Sequence, residues 1–354
     1  MSRCAAERRV FFVEEPEYGG DAPPHLTIRA SGLVTVIVPQ LPHGCADPIS
    51  EQRGLIDQLI QRADIRDRVL WYYTPMALEF TRHLQARAIV YDCMDELSAF
   101  KNAPSALRDL DTELMRRSSL VLTGGQSIFE SRQHAHPNIH PFPSSVDVPH
   151  FAQARSHVTD PPDQAAIARP RLGFFGVIDE RMDLALLAGV ADLRPGWQIV
   201  MIGPVVKIDP ATLPQRPNIH YLGGKTYDEL PSYIAGWDVA LLPFARNEAT
   251  RFISPTKTPE YMAAGKPVVS TPIPDVVRPY GEQGFVRVAD DVAAFVAACD
   301  EAMDEDPVAR NRRSDAFLKQ TSWDLTWGRI RHLLEAAGGE PQHSTLSVDT
   351  AIHA

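Results

Sequence analysis

Apolar residues along this chain gather into short, largely β-branched runs, and amphipathic stretches separate them. In the first half the runs lie at 10–13, 33–39, 69–73, 88–91 and 120–123. Runs this short and this apolar predict strands buried on both faces. Between several of them, windows 49–62, 76–83, 106–117 and 127–134 repeat apolar positions at helical spacing. Strand and helix alternate, which predicts a mostly parallel α/β sheet.

The alternation stops near Ser144-Ser145-Val146-Asp147, and residues 156–170, rich in Pro, Asp and Ala, carry neither period. They read as a linker. A second series of strands follows at 172–175, 199–202, 219–221, 239–242, 267–270 and 285–288, then helices at 292–304, 308–320 and 323–337. The expected organisation is a first domain over 1–155, a linker over 156–170, a second domain over 171–322, a closing helix over 323–338 and a disordered tail over 339–354. Nine residues precede the first strand, too few for a parallel crossover, so an initial strand, loop and helix are expected to lie outside this sequence.

At 354 residues the chain exceeds one ordinary hydrophobic core, and two domains imply a cleft. The formal net charge of -10 argues against nucleic acid as a partner, because phosphate-backbone binding draws on clustered Lys and Arg. Cys4, Cys45, Cys93 and Cys299 lack the paired spacings of zinc or disulfide chemistry, which points to a reducing, cytoplasmic compartment. No apolar run approaches the roughly 20 residues of a membrane span.

Parallel sheets bind ligands at the carboxyl ends of their strands, so the loops after the second-half strands are where ligand chemistry is expected. After residues 172–175 come Gly176 and then Arg181 ahead of Asp183, a glycine for close backbone approach and a cation near a helix start. That suits a diphosphate, or a plain Gly turn with an Asp cap and a solvated Arg181. Gly203-Pro204 and Gly223-Gly224-Lys225-Thr226-Tyr227 follow two further strands; they frame a nucleobase through Tyr227 or simply punctuate loops. The segment from Ser254 to Ser270 places Lys257 at a helix start bracketed by Pro255 and Pro259, with Glu260 one turn on. Lys257 reads as a phosphate ligand or a surface lysine. Glu260 reads as an acceptor for a ribose diol or a first-turn acid complementing the helix dipole.

In the first half, Asp92, Asp95 and Glu96 end a strand. They offer a general base or cap the next helix. His134, His136, His140 and His150 crowd one region, but interleaved prolines point to an extended loop rather than a zinc site, and no metal is expected elsewhere.

These residues together resemble the GT-B glycosyltransferases, in the family-4-like group that includes teichuronic acid and exopolysaccharide transferases. The resemblance spans nearly the whole chain. It rests on Leu70-Trp71-Tyr72-Tyr73-Thr74-Pro75, Val90-Tyr91-Asp92-Cys93-Met94-Asp95-Glu96, Leu122-Thr123-Gly124-Gly125, Pro143-Ser144-Ser145-Val146-Asp147, the run from Phe174 to Arg181, and above all the segment from Pro255 to Val269. It implies two Rossmann-like doubly wound domains facing a cleft, with the last helix crossing back to the first domain. It also implies that Glu260 binds ribose hydroxyls, that Lys257 and Arg181 neutralise a donor diphosphate, and that Gly176 lets the backbone approach it. Tyr227 and Ser254 complete the expected donor set, and Asp92 or Asp95 the acceptor side.

The expected activity is metal-independent transfer from a UDP- or GDP-sugar to a glycan or lipid-linked acceptor, the latter at the inner face of the membrane. An epimerase or phosphorylase of the same fold, or an inactive nucleotide-binding subunit, are the alternatives. Two departures stand out. Retaining members carry a second glutamate eight residues before the ribose-binding one, where this chain has Phe252. The family's first strand and loop are also unmatched.

Overall fold

The computed structural model describes residues 1–99, 103–156 and 159–338; the expected tail over 339–354 lies outside them. Fourteen strands are named in chain order. The first half holds β1 (Val10–Val13), β2 (Glu17–Tyr18), β3 (His25–Ser31), β4 (Val34–Leu41), β5 (Val69–Tyr72), β6 (Ala88–Cys93), β7 (Leu120–Thr123) and β8 (Ile139–Pro141). In the second are β9 (Arg171–Phe175), β10 (Gln198–Ile202), β11 (Ile219–Tyr221), β12 (Val239–Leu242), β13 (Val268–Ser270) and β14 (Val286–Val288).

The second half is one parallel sheet in the order β11-β10-β9-β12-β13-β14. Strand order reverses between β9 and β12, so their carboxyl ends open a crevice where a ligand fits. β9 and β12 are buried along their whole length, as the continuous apolar runs require. Helix Leu184–Leu193 is held by its Asp183 cap, whose carboxylate accepts from Leu186 N at 2.8 Å.

The first half divides its strands between two sheets. One runs β5-β6-β7-β8, all parallel; the other centres on β4, with β1 and β2 parallel to it and β3 antiparallel. The β3–β4 hairpin is not legible from apolar runs, because β3 is exposed over most of its length and lacks a buried stripe. β8 corrects the expected uncommitted loop around the histidines. Pro141 can close this strand because an edge position needs no donor there. His136 is buried and its Nε2 bonds Ser118 O at 2.9 Å, while His140 Nε2 bonds Asn138 Oδ1 at 2.9 Å.

Within residues 159–170, Gln164 is fully buried against the second half, accepting from Trp237 Nε1 at 2.9 Å and donating to Tyr233 O at 3.0 Å. The last helix, Trp323–Gly338, crosses back to the first half as expected. Its buried Leu334 joins Val90, Leu120, Leu122 and Phe142, and Trp327 Nε1 donates to Glu7 at 3.0 Å. Beside that crossing, Val146 bridges Ser322 and the Ser145 and Thr326 hydroxyls meet at 2.6 Å.

Candidate active site

The end of β9 is shaped by two glycines. Gly176 has φ +135° and donates its N–H to Ile202 O at 2.8 Å. Gly203, at the end of β10, has φ +142°. A Cβ on Gly203 would stand 1.9 Å from Gly176 O, and a Cβ on Gly176 would stand 2.2 Å from Lys257 Cε. Only glycine lets the two strand ends and the lysine converge.

Lys257 opens the short helix Lys257–Ala263. Its Nζ lies 5.8 Å from the Phe174 ring centroid and 5.7 Å from that of Phe175, within cation–π range of both. Burial lowers its pKa below the ordinary lysine value, and the Glu260 charge works against that. Glu260 follows one turn later, with Oε2 buried and without a hydrogen-bond partner. Burial pushes its carboxyl up to about 7, opposed by Lys257. Tyr261 ties this helix to the sheet, its hydroxyl accepting from Phe175 N at 3.1 Å. An orphaned carboxylate oxygen beside a desolvated ammonium suits a ligand bearing both hydroxyls and negative charge.

Arg181 is not the solvated side chain of a plain turn. Asp179, 4% exposed, accepts from its Nε at 2.9 Å and its Nη2 at 2.8 Å, and also from its backbone N at 3.0 Å. That grip fixes the guanidinium on the Lys257 side of the crevice, where the two charges act on each other. Asp95, in the first half, lies within reach of the Arg181 charge: burial raises its pKa and that charge opposes the rise.

The other two acids of the first-half cluster point elsewhere. Asp92 is buried and accepts from Trp71 Nε1 at 3.1 Å; burial raises its pKa to about 6, with the Trp71 bond opposing. It faces the amino-terminal end of the chain, whose charge also reaches it. Glu96 bonds Arg132 and accepts from Ser98 Oγ at 2.7 Å, inside a network that includes Asp111 and Tyr91. Its requirements are met within the first half.

Tyr227 stands beside Glu260 and Asp147, whose charges both act on its hydroxyl. Ser254 sits at a seam between the halves, its Cβ 2.8 Å from where a Cβ on Gly125 would be. At the same seam Asp275 Oδ1 accepts from Ser127 N at 2.9 Å and Arg278 Nη2 pairs with Glu130 at 3.0 Å. Phe252 packs against the first-half core cluster that contains Tyr72, Leu78 and Ile128.

The structure therefore brings together Gly176, Arg181, Lys257, Glu260 and Tyr227, brings Asp95 within reach of the Arg181 charge, engages Asp92 with Trp71 and sets Ser254 at the seam beside Gly125. Sequence reasoning gave no role to Asp179, to the Phe174 and Phe175 rings, or to His150 beside Tyr227. An acid two residues before a cleft arginine was a usable signal for the first. Among the described residues no group of three His, Cys, Asp or Glu is placed to hold a metal, and no helix is long and apolar enough to cross a membrane.

Residues 169–305 match the family model described as Glycosyl transferases group 1. The chain is 24% identical over 272 residues to TuaH of Bacillus subtilis (strain 168), whose name places it, as a glycosyltransferase, in teichuronic acid biosynthesis. That alignment covers 70% of this chain and 67% of TuaH. Among solved structures, sucrose-phosphate synthase of Thermosynechococcus elongatus superposes with a TM-score of 0.73 at 12% identity, covering 95% of this chain and 91% of that one. The trehalose-6-phosphate protein of E. coli bound with UDP-2-fluoro glucose gives 0.67 at 14%, with 94% of each chain covered. Anabaena HepE in complex with UDP and glucose gives 0.64 at 15%, covering 84% and 86%. The structural likenesses show the two-lobed GT-B fold, and the family-model match over residues 169–305 together with the sequence match supports a glycosyltransferase.

Proposed function

We propose that the chain moves a sugar from a nucleoside diphosphate donor to a hydroxyl of a glycan or lipid-linked acceptor, without a metal ion. The observation that carries this reading is the pairing of desolvated Lys257 with the orphaned Glu260 oxygen one helical turn away. Lys257 and Arg181 supply positive charge for the diphosphate, and Glu260 accepts from the ribose diol. Two of the structural relatives are described in complexes with UDP or a UDP-sugar, which favours a donor of that class.

In the transfer, the bond between the anomeric carbon and the diphosphate oxygen breaks, and the electron pair leaves with the diphosphate. Lys257 and Arg181 stabilise the charge that grows there, already oriented by the two Phe rings and by Asp179. The acceptor oxygen bonds to the anomeric carbon and its proton passes to a carboxylate. We favour Asp95 over Asp92 for this role: the Arg181 charge reaches Asp95, while Asp92 is bonded to Trp71. Incubating the full chain with UDP- and GDP-sugars and an acceptor extract, then measuring released nucleoside diphosphate, tests the reading. Acceptor-dependent release supports it. A sugar nucleotide rearranged without any acceptor would favour an epimerase.

A further inference from the structure

Glu260 lies one turn beyond Lys257, and the Phe151 ring links Tyr227, 5.6 Å away, to Phe175, 6.2 Å away, whose own ring centroid is 5.7 Å from Lys257 Nζ. The Arg181 charge acts on Lys257, and the charges of Glu260 and Asp147 reach the Tyr227 hydroxyl. If the diphosphate lies at the cations and the ribose at Glu260, the next group along the donor is the base. Tyr227 is 49% exposed, so part of its surface is open to a ligand.

His150 backs this tyrosine. The two rings are parallel, 4.0 Å between centroids and 9° apart in plane, and His150 Nε2 bonds Tyr227 O at 3.0 Å. Phe151 meets both rings edge-on, at 4.9 Å and 5.6 Å, and stacks on Phe175 at 6.2 Å. His150 is itself fixed by the Asp147 carboxylate, which accepts from its backbone N at 3.2 Å, on the turn of helix Val148–Ala152. This turn begins two residues after Val146, which bridges Ser322 where the chain crosses between the halves.

We infer that His150 is a positioning residue for the donor's base, holding the Tyr227 ring as a stacking platform anchored on the interdomain crossing. The inference rests on the donor reading above and extends it to a residue outside the phosphate and ribose contacts. Ring stacking tolerates any base, so the platform sets affinity for the nucleoside and leaves the choice between uracil and guanine to other contacts.

The experiment titrates UDP, GDP and inorganic pyrophosphate into the full chain as wild type, His150→Ala and His150→Phe. For whichever nucleoside diphosphate the wild type binds, His150→Ala weakens affinity about five- to tenfold and leaves pyrophosphate unchanged. His150→Phe keeps a ring under Tyr227 and restores affinity to within about twofold of wild type. Equal nucleotide affinity in His150→Ala overturns the inference while leaving the donor reading intact. So does a parallel loss of nucleotide and pyrophosphate, which would make His150 a general structural support. A wild type that binds pyrophosphate but neither nucleotide overturns both.

Discussion

A methyl group on Gly176 would stand 2.2 Å from Cε and 2.7 Å from Nζ of Lys257. The backbone there also has φ +135°, a conformation that side chains disfavour. Gly176→Ala is therefore expected to displace the ammonium and to cost about 1–3 kcal/mol of stability. Nucleoside diphosphate affinity should drop at least about tenfold with the circular dichroism of the folded chain retained. Unchanged affinity would show that Lys257 Nζ does not need its present position.

Asp179→Asn keeps the shape of the acceptor but removes the charge that orients Arg181. Because Asp179 is buried and the arginine only partly so, the loss should be about 1.5–3 kcal/mol, read as a weaker diphosphate complex and a lower melting temperature. Nucleoside affinity should stay as it is, because the pair lies at the phosphate end. A variant that weakens nucleoside and nucleoside diphosphate equally would separate Arg181 from the phosphate.

Glu260 gives a pH signature. Its carboxyl is raised from 4.5 to about 7 by burial, so the folded state favours the protonated form. The associated stability is fully present below about pH 4.5 and is lost as the pH rises to about 7, by an amount on the order of 3 kcal/mol. Glu260→Gln removes that dependence, and denaturant titrations at pH 5 and pH 8 should show the variant gaining on the wild type between them. Donor binding should run the opposite way, strengthening through about pH 7 as the carboxylate forms to accept the ribose hydroxyls. A flat wild-type binding profile over pH 5.5–8.5 would contradict the ribose role.

The two acids of the first half can be told apart by kinetics. Asp95→Asn should lower kcat by a factor on the order of 10²–10⁴ with little change in donor affinity, the mark of a lost proton acceptor. Asp92→Asn should lower kcat far less, because Asp92 is engaged with Trp71. If Asp92→Asn proves the more damaging, the proton acceptor is the other carboxylate.

Phe252, eight residues before Glu260, packs against the first-half core cluster. Phe252→Glu is expected to lose about 1–3 kcal/mol of stability without any gain in donor affinity. A tighter donor complex would show that the side chain can turn into the crevice.

Much of this architecture was legible in the sequence, because fully buried parallel strands such as β9 and β12 announce themselves as apolar runs. β3 escaped for the converse reason: Thr27, Ile28 and Arg29 are all exposed, and a hairpin strand without a buried face has no period to detect. β8 escaped because proline and histidine usually signal a loop, and its place at a sheet edge is a tertiary fact. Within the site, Lys257, Glu260 and Gly176 follow from local motifs. The Asp179 grip needed a turn geometry, and the His150–Tyr227 stack joins residues 77 positions apart, a relationship that local reading does not reach.

Lys257 and Glu260 are expected to hold the two polar parts of one nucleotide, which calorimetric titration of UDP and GDP into wild type, Lys257→Ala and Glu260→Gln checks. One nucleotide should bind the wild type and lose about ten- to a hundredfold in each variant, with pyrophosphate binding lost in Lys257→Ala and retained in Glu260→Gln. Equal nucleotide affinity in all three proteins would contradict it.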